Sequence, residues 1–410
     1  MPNEGGALAG IRVLDLTDYQ AGPACAQLLG MLGADVIKIE QPGFGGYTRR
    51  FLGDKTDTNS IWFLVLNANK RGVTINLQSE GGKEVLTALI EKSDVLLENF
   101  APGTIDRLGF GWERVRQINP RLVYTSIKGF GSWGPYSNFK TFEGIAQAAG
   151  GAMFMCGTAD TPPLQSGAAI GDSGTGALTL GGILAALIQR QRTGVGQFVD
   201  VSQQDAILNL VRTHIRAHQA LGKVPTRGDR RGGLASAGRI GEGLFACAPG
   251  GPNDYIIISI AGHLHMRVAL LDAIGRPDLT AMVAQAQEIS EEEVLKHATT
   301  INDAITAWTK QRSKHEAMRH LATAGVPVSA VYDTADLIAD EHLHARDMIV
   351  KLEDPKRGEF ITVGNPLKLS NSKVPITRPP MIGEHTNQVL MEVAGLSERR
   401  IAELRKEGAI

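Results

Sequence analysis

One hexapeptide carries the residue types of covalent acyl chemistry. It is Gly171-Asp172-Ser173-Gly174-Thr175-Gly176, followed by the apolar run Ala177 to Ile188. A carboxylate at a helix start lies at the positive end of the dipole, a stabilisation of about 0.3–1 kcal/mol. The pattern therefore predicts an Asp172 that is ionised and exposed at neutral pH, the state a carboxylate nucleophile requires. The same residue types also serve a plain helix N-cap. The three glycines let the backbone turn sharply and come close to something bulky.

Other candidate chemistry is thinner. His214 and His218 sit four apart on one helix face, a metal spacing with no nearby carboxylate or cysteine to complete it. Ser132, Ser166 and Ser173 lack the G-x-S-x-G elbow of serine hydrolases. Cys25, Cys156 and Cys247 are too widely spaced for a metal or disulfide framework, which fits a reducing compartment. Arg227, Arg230 and Arg231 form a small basic cluster, either solvated or near phosphate groups.

The elements that must position these residues read as alternating strands and helices. Ile11–Thr17 is a strand, Gly22–Leu32 a helix with Pro23 suited to its first position, and Ala34–Glu40 a second strand. This is a βαβ unit with a right-handed crossover. Glu40 stands where a dinucleotide-binding protein holds a ribose. The first turn reads Asp18-Tyr19-Gln20-Ala21-Gly22-Pro23, without G-x-G-x-x-G, so the spacing argues against an NAD site. Strands follow at 73–77, 94–98, 122–127 and 198–201, with helices at 82–92, 102–108, 112–118, 141–149 and 205–221. The alternation predicts an α/β fold with a doubly wound, mostly parallel sheet. Beyond 222 the pattern changes. A glycine- and arginine-rich stretch, 223–243, reads as a linker or lid, and 244–248 with 255–260 as paired strands. A helical block spans 264–322, a strand 326–332 and a helix 334–345. Two short strand runs lie within 360–369 and a helix covers 387–404.

Length and composition bound the rest. The 410 residues suggest two domains. Formal net charge is −1, which argues against partners held by bulk charge, nucleic acid and membrane surfaces included. The first residues have no basic and apolar leader pattern, and no apolar run approaches a membrane span, so a cytoplasmic protein is expected.

Several short motifs stand in a fixed order along the chain: Gln20-Ala-Gly-Pro-Ala24, Gly33-Ala-Asp-Val-Ile-Lys-Ile-Glu40 and Asn69-Lys-Arg71. Val95-Leu-Leu-Glu-Asn-Phe100, Pro102-Gly103, Arg107-Leu-Gly109, Gly171-Asp172, Gly194-x-Gly-Gln197 and Pro380-Met-Ile-Gly-Glu-His385 follow. On these residues, over nearly its whole length, the chain resembles the family III coenzyme A-transferases. The resemblance implies a Rossmann-like large domain, a smaller α+β domain and an interlocked homodimer. It implies boundaries at 1–222 for the first part of the large domain, 223–330 for linker and small domain, and 331–410 for the return. It implies that Asp172 attacks an acyl-CoA, giving a mixed anhydride and then an aspartyl-CoA thioester, with backbone N–H donors for the oxyanions. Gln20 would hydrogen-bond the acyl or aspartyl oxygen and Glu143 would act beside the nucleophile. Ala21, Gln41, Asn99, Phe100, Gly103, Arg107 and Lys140 would border CoA, a substrate here, with no separate cofactor and no metal. The bland readings are a turn residue for Gln20, a helix-terminal charge for Glu143 and surface charge for Lys140 and Arg107.

Some positions depart from the formyl-CoA:oxalate members of that family. These carry tryptophan at Phe51, tyrosine at Phe142 and arginine at Gln41, and four consecutive glycines in a lid that here reads 232–243 without such a run. The expected reaction is transfer of CoA to a small acid, oxalate or a similar one, with formyl-CoA as donor left open. Phe51, Phe142, Tyr136, Trp133, Met153 and the lid would shape the acceptor pocket. Two alternatives are a 2-methylacyl-CoA racemase and a non-catalytic CoA-binding protein. The racemase needs a second acid–base group beside the aspartate, and no histidine precedes His214.

Overall fold

Strands whose successive side chains are all apolar must be covered on both faces. The computed structural model shows this for the pairs Val13/Leu14, Val36/Ile37, Val95/Leu96 and Val123/Tyr124. It describes residues 5–222, 224, 227, 240–284 and 290–410. Leu14, Ile37, Leu96 and Tyr124 face one core with helices Glu80–Glu91, Trp112–Ile118, Thr386–Glu392 and Glu398–Lys406. Val13, Val36, Val95 and Val123 face the other, under helices Ala21–Met31 and Ser173–Thr193.

The strands are β1 (Arg12–Asp15), β2 (Asp35–Glu40), β3 (Lys70–Thr74), β4 (Val95–Glu98), β5 (Val123–Lys128) and β6 (Phe198–Ser202). All pair in parallel, in the order β3-β2-β1-β4-β5-β6. The order reverses between β1 and β4, and sheets of this kind bind ligands outside the carboxyl ends of the strands there.

The described chain forms two units. One holds Met1–Phe154, Gln165–Arg216 and His344–Ile410, the other Met155–Leu164 and Ala217–Leu343. The second has an antiparallel sheet of β7 (Gly243–Ala246), β8 (Tyr255–Ile258) and β9 (Val328–Ala330). Helices Leu264–Ala273, Glu291–Thr309 and Lys314–Thr323 cover its core of Phe245, Ile256, Leu270, Ile305 and Leu321. In the first unit, β10 (Ile349–Asp354) and β11 (Gly358–Val363) form a hairpin. Most of 223–243 lies outside the described residues, and with it Arg230, Arg231 and Arg239 and most of the expected lid.

Several expected elements differ. The third strand is Lys70–Thr74 rather than 73–77, because its polar start is neutralised in the interior: Lys70 meets Asp15 at 2.8 Å and Arg71 meets Asp35 at 2.7 Å. Pro23 occupies the third helical position, since Ala21 opens the helix. The two strand runs within 360–369 are one strand, β11, which ends where Gly364 N–H turns back to Met348 O. The helix expected over 387–404 is two, broken at Gly395 in the left-handed region (φ +69°). Asp340 likewise divides 334–345 into Thr334–Ala339 and Glu341–Ala345.

Candidate active site

Four helix starts converge around Asp172. Gln20 precedes helix Ala21–Met31, Glu143 opens Glu143–Ala149, Asp172 precedes Ser173–Thr193, and Gln203 opens the helix that leaves β6. The hexapeptide glycines account for the approach. None has a left-handed φ. A Cβ on Gly171 would lie 3.0 Å from Glu143 O, and one on Gly176 would lie 2.5 Å from Ala21 O. The bulky neighbours are therefore the chain's own helices, and the chain turns at residues 170–172 without a left-handed glycine.

Asp172 differs from its sequence expectation in two ways. Its side chain caps no helix N–H; instead Oδ1 accepts from Gln203 Nε2 at 2.6 Å. It is also half-buried rather than exposed. Burial, followed by the negative charge of Glu143, pushes its pKa up to about 6, against the hydrogen bond from Gln203. From the ordinary value of 3.8 that is about 3 kcal/mol against ionisation. A helix dipole of about 0.3–1 kcal/mol does not offset it.

Glu143 is bound into the backbone of the nucleophile loop. Its Oε1 accepts from Gly171 N at 2.9 Å and from Gln147 Nε2 at 2.6 Å, and its Oε2 accepts from Asp172 N at 2.6 Å. The amides beside Asp172, expected as oxyanion donors, are thus engaged by Glu143. Gln20 Nε2 donates to Ser173 Oγ at 2.9 Å, which brings its amide alongside the nucleophile loop.

Two clefts open at the carboxyl ends of the strands and share Tyr19, Asn99, Phe100 and Ala101. One, of about 280 Å³, contains Asp172, Gln203, Ala21, Lys140 and Phe142. The other, of about 370 Å³, lies over the ends of β1, β2 and β3 and includes Gln41 and Tyr47. Asn99 ties the switch point together: its Oδ1 accepts from Asp18 N at 3.0 Å and its Nδ2 donates to Asp18 O at 2.8 Å. Asp18 in turn accepts from Tyr47 N at 2.7 Å and Thr48 Oγ1 at 2.6 Å. Tyr19, held at φ +62°, stacks on Tyr47 at 6.2 Å and meets Phe142 edge-on at 5.4 Å. A strained residue between two clefts is a common mark of a functional site.

The expected CoA residues divide. Ala21, Asn99, Phe100 and Lys140 line the Asp172 cleft, and Gln41 the other. Gly103 and Arg107 line neither; Arg107 donates to Thr104 Oγ1 and borders a separate open depression with Lys83 and Arg114. Glu40 is held by both oxygens on buried Arg49, at 2.8 and 2.5 Å, so it is not free to take a ribose. Of the expected acceptor-pocket residues, Phe142 lines the cleft, whereas Phe51 packs on Trp62 and Tyr136 on Phe130 and Phe139.

Sequence reasoning missed Gln203 and the bridging role of Tyr19. Gln203 directly follows the last parallel strand, and the rule that ligands bind at carboxyl ends of strands is the signal that could have found it. His214 is satisfied on its own helix, its Nδ1 lying 3.2 Å from Val211 O. Among the described residues no group of three or more His, Cys, Asp or Glu side chains is placed to hold a metal, and no helix is long and apolar enough to cross a membrane.

Comparisons with known proteins bear on the family and the fold. Residues 8–386 match the model of "CoA-transferase family III". The formyl-CoA:oxalate CoA-transferase of Streptomyces avermitilis is 46% identical, over 98% of this chain and 99% of that protein. The protein of the same name from Streptomyces coelicolor is 45% identical over the same shares. The crystal structure of a CaiB/BaiF family protein from Brucella suis superposes with a TM-score of 0.81 at 29% identity, covering 95% of this chain and all of that one.

Proposed function

Because this chain belongs to CoA-transferase family III and is an enzyme of that class, we propose that it moves CoA from formyl-CoA to oxalate through covalent intermediates on Asp172. The observation that carries the site assignment is a half-buried carboxylate, raised to about 6, facing a cleft that continues past Tyr19 into a second one. With that pKa about nine-tenths of Asp172 is ionised at pH 7. It is also poorly solvated, so little hydration must be shed before it attacks.

Asp172 attacks the acyl carbonyl and expels CoA thiolate, leaving an acyl-aspartyl anhydride. The thiolate attacks the aspartyl carbonyl and expels the donor acid, leaving an aspartyl-CoA thioester. The acceptor carboxylate displaces the thiolate, which returns to the new acyl group and frees Asp172. Gln20 supplies a donor beside the aspartyl group, and Glu143 fixes the loop while keeping Asp172 basic. CoA lies through both clefts, with Tyr19 between its reacting end and the remainder.

The substrate pair is that of the formyl-CoA:oxalate CoA-transferases 40–46% identical to this chain. The chain works as an interlocked homodimer in the cytoplasm, a reading supported by family membership and by exposed Leu178 and Ile188 on helix Ser173–Thr193. The test is chromatographic. Formyl-CoA, acetyl-CoA and succinyl-CoA are each crossed with oxalate, formate and succinate, and new CoA esters are identified. Oxalyl-CoA formed only with formyl-CoA and oxalate, and lost in Asp172→Ala, supports the proposal. An Asp172→Ala protein of unchanged activity overturns it.

A further inference from the structure

Gln203 is 6% exposed, and every polar atom of its amide is engaged. Nε2 donates to Asp172 Oδ1 at 2.6 Å and to Gly171 O at 3.2 Å, while Oε1 accepts from Thr141 Oγ1 at 2.7 Å. Gly171 O is acceptor-only, so the nitrogen must face the nucleophile loop and the oxygen must face the Thr141 hydroxyl. The amide therefore cannot reverse without facing acceptor to acceptor. Gly129 makes the anchor possible, since a Cβ there would lie 2.1 Å from Thr141 Oγ1.

This arrangement distinguishes the two oxygens of Asp172. We propose that Gln203 latches Oδ1 throughout turnover, leaves Oδ2 as the only attacking oxygen, and donates to the oxyanion that forms on Oδ1 each time the aspartyl carbonyl is attacked. The proposal rests on Asp172 being the nucleophile. In the anhydride, Oδ2 is the bridging oxygen and Oδ1 the carbonyl oxygen. When CoA thiolate attacks Cγ, a C–S bond forms and the carbonyl electron pair moves to Oδ1, onto the Gln203 N–H. Collapse restores the carbonyl and breaks the Cγ–Oδ2 bond, so Oδ2 leaves within the released donor acid. The acceptor carboxylate later attacks Cγ by the same route, expels the thiolate and supplies a new Oδ2. Each turnover thus replaces one oxygen of Asp172 and leaves the other in place.

Isotope counting tests this directly. The full-length enzyme is cycled for many turnovers with formyl-CoA and oxalate labelled with oxygen-18 at every oxygen, or with whichever acid first gives a new CoA ester. It is then freed of substrates and digested, and the Asp172 peptide is weighed. The expected mass gain is one labelled oxygen, about 2 Da, however many turnovers precede it. Gln203→Ala frees the carboxylate to rotate, and its peptide gains two. Its kcat falls by about 10²–10³-fold, as for other lost oxyanion donors. Thr141→Val, which removes only the anchor on Oε1, gives a mixture of one and two. Two labelled oxygens in the unaltered enzyme overturn the latch while leaving Asp172 as nucleophile. New CoA ester with no label in the peptide removes Asp172 as nucleophile, and the role of Gln203 with it.

Discussion

Replacing the nucleophile should make the protein more stable while abolishing its activity. Asp172 has its pKa raised from 3.8 to about 6 by burial and by Glu143. A carboxyl that is harder to ionise in the folded state than in the unfolded one costs stability once the pH allows ionisation. Below about pH 4 both states are protonated and the cost is absent. Between about pH 4 and 6 the unfolded state releases its proton first, and stability falls as pH rises. Above about pH 6 the full cost stands, about 3 kcal/mol by linkage. Asp172→Asn removes the ionisation and keeps an oxygen to accept from Gln203 Nε2. At pH 7.5 its unfolding free energy should exceed that of the parent by about 3 kcal/mol, and the gain should shrink towards zero as pH falls to about 4. Urea unfolding of both proteins, at one protein concentration and across that range, measures it. A gain that does not change with pH would show that shape rather than charge is responsible. No gain at pH 7.5 would refute the reasoning that burial and Glu143 strain this carboxylate.

Glu143→Gln removes the like charge, so the acid limb of the kcat/KM profile should move to lower pH. Its amide also turns one nitrogen towards a backbone N–H it had accepted from, an unpaired donor costing about 1–3 kcal/mol in urea unfolding. Arg49→Met leaves Glu40 buried without its partner, and the urea midpoint should report a loss of about 3–5 kcal/mol. Gly176→Ala places a Cβ 2.5 Å from Ala21 O, where backbone rather than a flexible side chain must yield. It should cost about 1–3 kcal/mol and should lower kcat through the shift of Asp172 from Gln20, which steady-state kinetics with the unfolding curve will separate.

What the sequence made legible follows from how far each signal reaches along the chain. The βαβ units were readable because apolar runs such as Val13-Leu14 and Val36-Ile37 state locally that both faces are covered. Asp172 was readable because a carboxylate, its glycines and the following apolar helix are contiguous. The start of β3 was not, because Lys70 and Arg71 look like surface residues until Asp15 and Asp35, tens of positions away, are known to neutralise them. The raised pKa and partial burial of Asp172 were not legible for the same reason. The hexapeptide reports the helix dipole, a local and small effect. The opposing effects are burial and Glu143, which lies 29 positions earlier in sequence.

Gln203 is the sharpest case. Within Ser202-Gln203-Gln204-Asp205 it reads as an ordinary polar helix start. Only the pairing of β6 beside β5, with Ser202 opposite Lys128, brings it to the strand end where Thr141 anchors it and Asp172 receives it. The two polar residues that follow β6 divide by this geometry, since the next one, Gln204, turns its amide to Ala149 O instead. A register shift of one residue along β6 would move that helix start, and with it which of the two, about 100° apart around the helix, faces Asp172. The donor at the nucleophile is therefore chosen by strand register, a property of the assembled sheet rather than of the local sequence. That is why the carboxylate was found from its own surroundings, whereas the group that tells its two oxygens apart was not.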